Sequence, residues 1–206
     1  MITDIAIILL LILLNGFFAM SEIAVVSAKA AYLDAARKKG SKGAKVAISL
    51  MSDPDNFLSS VQVGITLIGI INGAYGGATL SAHLVPFFKQ YAISAAYAES
   101  ISIITVVFII TYLSIVIGEL VPKTIALNNS SKVAIAVSRP IKVVSIIFYP
   151  FVRFLAISTN LFNKIIGVKS EDSAISEMEL KALLKTASLE GVIEKEENII
   201  HEQVFY

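Results

Sequence analysis

Three stretches of this chain, Ile5–Val26, Phe57–Leu80 and Ile101–Val121, each run for more than 20 residues with at most one charged side chain. A helix needs roughly 20 mostly apolar residues to cross a hydrocarbon core of about 30 Å. A water-soluble core accommodates one such segment, but hardly three. The 206 residues are 56% apolar and 16% charged, with a mean hydropathy of +0.78. Soluble domains carry roughly a quarter charged residues. The expectation is an all-α membrane protein with three transmembrane helices, amphipathic juxtamembrane helices and a short cytoplasmic helical tail.

The first segment has no basic leader and no clear small-residue cleavage site, so it reads as a retained span rather than a signal peptide. Cysteine is absent, which removes disulfides and thiolate metal sites from consideration. Lys and Arg concentrate between the first two spans, at Lys29, Arg37, Lys38, Lys39, Lys42 and Lys45, and again after the third, at Lys123, Lys132, Arg139 and Lys142. The loop between the second and third spans, about 81–100, holds only Lys89. The positive-inside rule then predicts a multi-pass cell-membrane protein with its N-terminus outside and its C-terminus in the cytoplasm.

Within the first basic connector, Tyr32–Lys39 and Ala44–Met51 read as two short helices joined by a glycine turn, with Asp53 or Asp55 capping the second span. The stretch 133–166 is apolar but carries Arg139, Pro140, Lys142, Pro150 and Arg153. Central charges cost at least ~2.5–3.5 kcal/mol each on insertion scales. It is expected to form interfacial helices broken at the prolines, with Lys and Arg snorkelling to headgroups. Residues 1–168 thus form the transmembrane domain and 169–206 a cytoplasmic helical linker. In the linker, Ser176 and Glu179 form a capping box, Gly191 ends that helix, and a second follows from Glu194 to Tyr206.

Polar groups within the spans each need a reason. They are Asn15, Ser21 and Glu22, then Gln62, Thr66 and Asn72, then Thr111, Ser114 and Glu119. Pro122 has no N–H for the Gly118 carbonyl four residues back. One short motif therefore offers a carboxylate and a freed backbone oxygen together, a half-shell suited to a hard cation. Equally, Glu119 can pair with Lys123 one turn on. Ser21 and its small neighbours also suit plain helix packing. Gly69, Gly73 and Gly77 repeat at four-residue spacing, which lets helix backbones approach. Asn72 beside them needs a partner or an ion. His83 and His201 read as a loop and a surface histidine. No nucleophile–His–Asp set, phosphate loop or zinc site occurs, so an enzyme is the least supported class. The basic connector suits anionic lipid rather than nucleic acid.

The stretches from Asn15 to Ala24 (NGFFAMSEIA), from Phe57 to Leu67 (FLSSVQVGITL) and from Gly118 to Lys123 (GELVPK) together resemble the three signature segments of the CorC/CNNM (cyclin M) family. Arg139-Pro140 and the tail from Gly191 to Glu194 (GVIE) are similar too. The resemblance implies the membrane (DUF21) domain of a homodimeric Mg2+ transporter that exports Mg2+ in exchange for Na+, ahead of a nucleotide-binding CBS pair not present in this sequence. It implies a Mg2+ site between the spans formed by Ser21, Asn72, the Gly118 carbonyl and Glu119. Gly69 is the alternative second-span position, and Thr66 and Gln62 stand in reserve. Competing readings are a membrane anchor for a nucleotide-sensing regulatory domain and a transporter of another cation.

Overall fold

The computed structural model describes residues 1–90 and 95–166. The tail helices and capping box expected beyond residue 168 lie outside the described residues. The chain divides into two compact units, Met1–Ile157 and Ser158–Tyr206. Every contact below belongs to the first.

Among the described residues the protein is all helical. Its elements are α1 (Ile2–Val26), α2 (Ala30–Lys38), α3 (Lys42–Met51), α4 (Pro54–Gln90), α5 (Ala95–Ile115), a π-helical segment (Val116–Leu120), α6 (Val121–Asn128) and α7 (Ser130–Ile166). Four helical stretches are long and apolar enough to span a membrane: α1, α4, the run Tyr97–Asn128 and α7.

The basic connector folds as its sequence predicts. Gly40 joins α2 to α3 at φ +86°, a left-handed conformation that costs glycine nothing. Ser41 caps α3 by accepting the Ala44 N–H at 3.2 Å. At the start of α4, Pro54 takes the first helical position, where a missing N–H does no harm. Asp53 does not cap with its side chain. Its two carboxylate oxygens accept instead from Asn56 Nδ2 at 3.0 and 2.9 Å.

Three expectations are corrected. The segment after the second span is not all loop: α4 continues through Pro86 to Gln90, and His83 lies within it, bonded through Nδ1 to the Thr79 carbonyl. Second, α7 does not break at its prolines but runs as one helix through Pro140 and Pro150. Both rings lie on its exposed side, where a missing N–H and a tilted carbonyl disturb no packed neighbour. Only 11% of the most apolar stretch of α7 is buried, against 33% in α1 and in α4. Its first half docks through Ser138 Oγ to the Gly43 carbonyl at 2.8 Å and Ser130 Oγ to the Ser27 carbonyl at 2.9 Å. Third, the Gly69, Gly73 and Gly77 stripe meets a neighbouring helix only at Gly77, where a Cβ would lie 3.6 Å from Val107 Cγ2 of α5. A Cβ at Gly69 or Gly73 would meet nothing within 4 Å. The buried face of α4 lies one residue away, at Phe57, Val61, Gly64, Ile68, Asn72 and Gly76.

Two apolar clusters hold the helices. The larger joins Phe18 and Val25 of α1 to Leu33, Ala47 and Leu50 of the connector, Phe57 and Val61 of α4, and Ala134 and Ile141 of α7. The smaller holds Ile8 and Ile12 of α1 against Val106 and Ile110 of α5. Buried polar groups include Asn15 and Ser21 on α1 and Asn72 on α4.

Candidate cation site

The third span departs from α-helical geometry where its sequence demands it. Pro122 cannot return a hydrogen bond to Gly118, and the Val121 N–H reaches back five residues to the Val116 carbonyl. One π-turn results, a distortion frequent at functional positions. The Gly118 carbonyl then accepts from Asn15 Nδ2 of α1 at 3.0 Å. This approach needs glycine on both sides. A Cβ at Gly118 would lie 3.1 Å from the Ile12 carbonyl oxygen, and one at Gly16 would lie 3.0 Å from Pro122 Cγ and 3.3 Å from the Ile117 carbonyl oxygen.

Four residues before Gly118, about one helical turn, Ser114 receives a hydrogen bond at 3.1 Å from Nδ2 of Asn72 on α4. Asn72 is 2% exposed and Asn15 is 8% exposed. Each amide spends its nitrogen on the third span and leaves its oxygen, Asn15 Oδ1 or Asn72 Oδ1, buried with no hydrogen-bond partner. An unsatisfied buried acceptor costs about 1–3 kcal/mol, so two about one helical turn apart call for a reason. A cation coordinated by oxygen would satisfy both.

The carboxylates lie on the next turn. Lys123 Nζ stands 2.8 Å from Glu119 Oε1 and 3.7 Å from Glu22 Oε2. The pairing of Glu119 with Lys123, left open by the sequence, is thus formed. Ser21 is fully buried, with Oγ donating to the Phe17 carbonyl of its own helix at 2.7 Å. That bond uses the hydroxyl proton and leaves both lone pairs available. Gln62 and Thr66 are exposed, off the buried face of α4. Gly69 is exposed as well.

The structure therefore joins Gly118 to α1 through Asn15, joins Asn72 to the third span through Ser114, and joins Glu119 to Glu22 through Lys123. No direct bond links Ser21 to the other three expected ligands. Asn15 is a member the sequence reading did not include in the ligand set. Its signal was present, since an asparagine within an apolar span must find a partner.

Three spans packed around buried amides, a proline-forced π-turn and a shared ion pair define an integral membrane domain with a polar centre. The transmembrane N-terminal domain of cyclin M matches residues 6–197. The UPF0053 protein sll0260 of Synechocystis is 42% identical over 96% of the chain and 44% of its own length. The UPF0053 proteins YhdP and YhdT of Bacillus subtilis are 32% and 31% identical over 95% and 91% of the chain, and over 45% and 41% of their own lengths. The chain spans less than half the length of these curated relatives. It belongs to the CNNM family, as a multi-pass membrane domain.

Proposed function

We propose that this chain is the membrane domain of a Mg2+ transporter that exports Mg2+ in exchange for Na+. The ion sits between α1, α4 and the π-turn, held by Ser21, Asn72, the Gly118 carbonyl and Glu119. The observation that carries this reading is the pair of buried amide oxygens without partners, at Asn15 and Asn72, flanking the distorted turn.

Mg2+ requires hard oxygen ligands in near-octahedral array and sheds water reluctantly. One carboxylate among neutral oxygens gives a site of low charge, from which an ion can leave. Lys123 supplies the means of keeping Glu119 neutralised when no metal is bound. Its ammonium stands on Glu119 and near Glu22, and Mg2+ must displace it to take the carboxylate. Binding and release then exchange one cation for another rather than creating a bare charge in the membrane. The family's homodimeric assembly is supported by Gly69 and Gly73 of α4, which meet none of the described residues and let a second backbone approach closely. The distribution of Lys and Arg supports the orientation with the N-terminus outside.

The decisive measurement is Mg2+ efflux from proteoliposomes with and without an opposing Na+ gradient. Efflux that accelerates with inward Na+ is the expected result. Mg2+ flux indifferent to Na+ would refute the coupling, and absence of any divalent flux would favour an anchoring role for a regulatory domain.

A further inference from the structure

Away from the polar centre, where α3 passes into α4, a cavity of about 290 Å3 opens between that junction and α7. Its walls carry opposite charges. Asp53 lies at the α3–α4 junction and Lys142 on α7, and both line the cavity. Neither forms an ion pair within 4.0 Å among the described residues. The Asp53 carboxylate is held in place by Asn56 Nδ2, but an amide does not neutralise it. Lys142 is half-buried. The two charges face one cavity without meeting.

Neighbouring hydroxyls extend this division. Ser60 Oγ and Ser145 Oγ donate to the Asn56 and Ile141 carbonyls at 2.7 and 3.0 Å, so both present lone pairs to the cavity. Tyr149, two turns along α7 from Lys142, also lines the cavity. A simple anion entering here is repelled by Asp53, and a simple cation by Lys142. A ligand with both charges a few bonds apart satisfies both walls. Charge-assisted hydrogen bonds of this kind are about twice as strong as neutral ones.

We propose that this cavity binds a phosphoethanolamine group, with its phosphodiester on Lys142 and Tyr149 and its primary ammonium on Asp53. A primary ammonium can donate hydrogen bonds to the carboxylate, whereas a choline headgroup has none to donate. The rim suits a ligand that continues into hydrocarbon: Ile146 is 62% exposed and Tyr149 49% exposed. The floor is closed by the buried Leu50 and Phe57. The site is independent of the cation reading, since none of its residues belongs to that set.

The test uses the purified chain in detergent, measuring the rise in unfolding temperature on titration with phosphatidylethanolamine, phosphatidylcholine or phosphatidylglycerol in mixed micelles. Ethanolamine lipid should protect at several-fold lower mole fraction than the other two. Lys142→Gln should weaken protection by all three. Asp53→Asn should abolish only the preference for ethanolamine over choline. Tyr149→Phe, which alters neither charge nor bulk, should weaken ethanolamine-lipid protection by a smaller factor, and serves if the charge variants lose basal stability. Glycerophosphoethanolamine at matched concentration separates a soluble phosphoester from a bilayer lipid as the source, and protection by either supports the assignment. Equal protection by all three headgroups, or an ethanolamine preference untouched by Asp53→Asn, would overturn it.

Discussion

Against α1 the third span offers backbone, and against α4 it offers side chains. The first contact has Gly16 and Gly118 nearly touching, a carbonyl–amide bond to Asn15, and the Lys123–Glu22 ion pair at the following turn. In the second contact, Ile110 fills the space beside Gly76 and a single hydrogen bond links Asn72 to Ser114. An apolar knob beside a glycine is rigid, because displacing it opens a void. A backbone bond across a π-turn has an alternative, since a turn that lacks one N–H can be repacked at low cost. If the proposed cation binds, this difference makes the α1 side the expected part to change and the α4 side the wall it changes against. Substitutions on the two sides should therefore separate binding from folding in opposite ways.

The largest effect is expected at Glu119. Glu119→Gln preserves size and removes the charge that meets both Lys123 and an incoming Mg2+. Hydrogen bonds to charged groups contribute about 1.5–3 kcal/mol, so Mg2+ affinity should fall roughly ten- to a hundredfold. The readout is Mg2+ protection against thermal unfolding, which scales with affinity for a ligand that binds only the folded state. Basal stability should change little, because a half-exposed pair one helical turn apart contributes at most ~1 kcal/mol. Unchanged Mg2+ protection with lowered basal stability would reduce Glu119 to a structural partner of Lys123.

The same contrast explains what the sequence could disclose. Pro122, Gly118 and Glu119 are adjacent, so local covalent geometry alone pointed to a disturbed carbonyl beside a carboxylate. That carbonyl's partner lies 103 residues away and follows only from how α1 packs. The partner of the α4 glycines was hidden for a related reason. Glycines at 69, 73 and 77 advertise close approach but not to what, and the buried face proved to be the one through Gly64, Ile68, Asn72 and Gly76. A turn of one residue, about 100°, separates the buried face from the one on which Gly69 and Gly73 meet none of the described residues. Pro140 and Pro150 misled because proline penalties measured in water overstate the disruption on the exposed side of a membrane-associated helix.

Asn72→Leu should have an intermediate effect on binding and almost none on folding. Its Oδ1 is buried without a partner, and removing it recovers a desolvation cost of about 1–3 kcal/mol that offsets the lost Ser114 bond. Ser114 loses its donor but can bond back to its own helix, as Ser102 and Ser145 already do. Unfolding temperature without metal should hold or rise, while Mg2+ affinity falls about tenfold, or about 1.4 kcal/mol. A clear loss of basal stability would mean that the amide holds α4 to α5 and is not kept for a ligand.

Pro122→Ala should give the smallest change, and it tests the backbone side of the comparison alone. Alanine restores an N–H that can reach the Gly118 carbonyl four residues back, so the π-turn can relax into regular helix. Asn15 Nδ2 must then share that carbonyl or lose it, and the oxygen offered to a cation is taken up within the helix. No side-chain ligand has changed, yet Mg2+ affinity should drop about fivefold, the equivalent of one ordinary hydrogen bond of about 1 kcal/mol. Basal stability should rise, since alanine is the better helix former by ~3 kcal/mol in a helix interior, less what the Gly16–Pro122 contact contributes. Thermal unfolding with and without Mg2+ reads both quantities from one sample. A variant more stable without metal and less protected by it would tie the distortion to binding. One that is more stable and equally protected would leave the π-turn a consequence of sequence with no part in holding the ion.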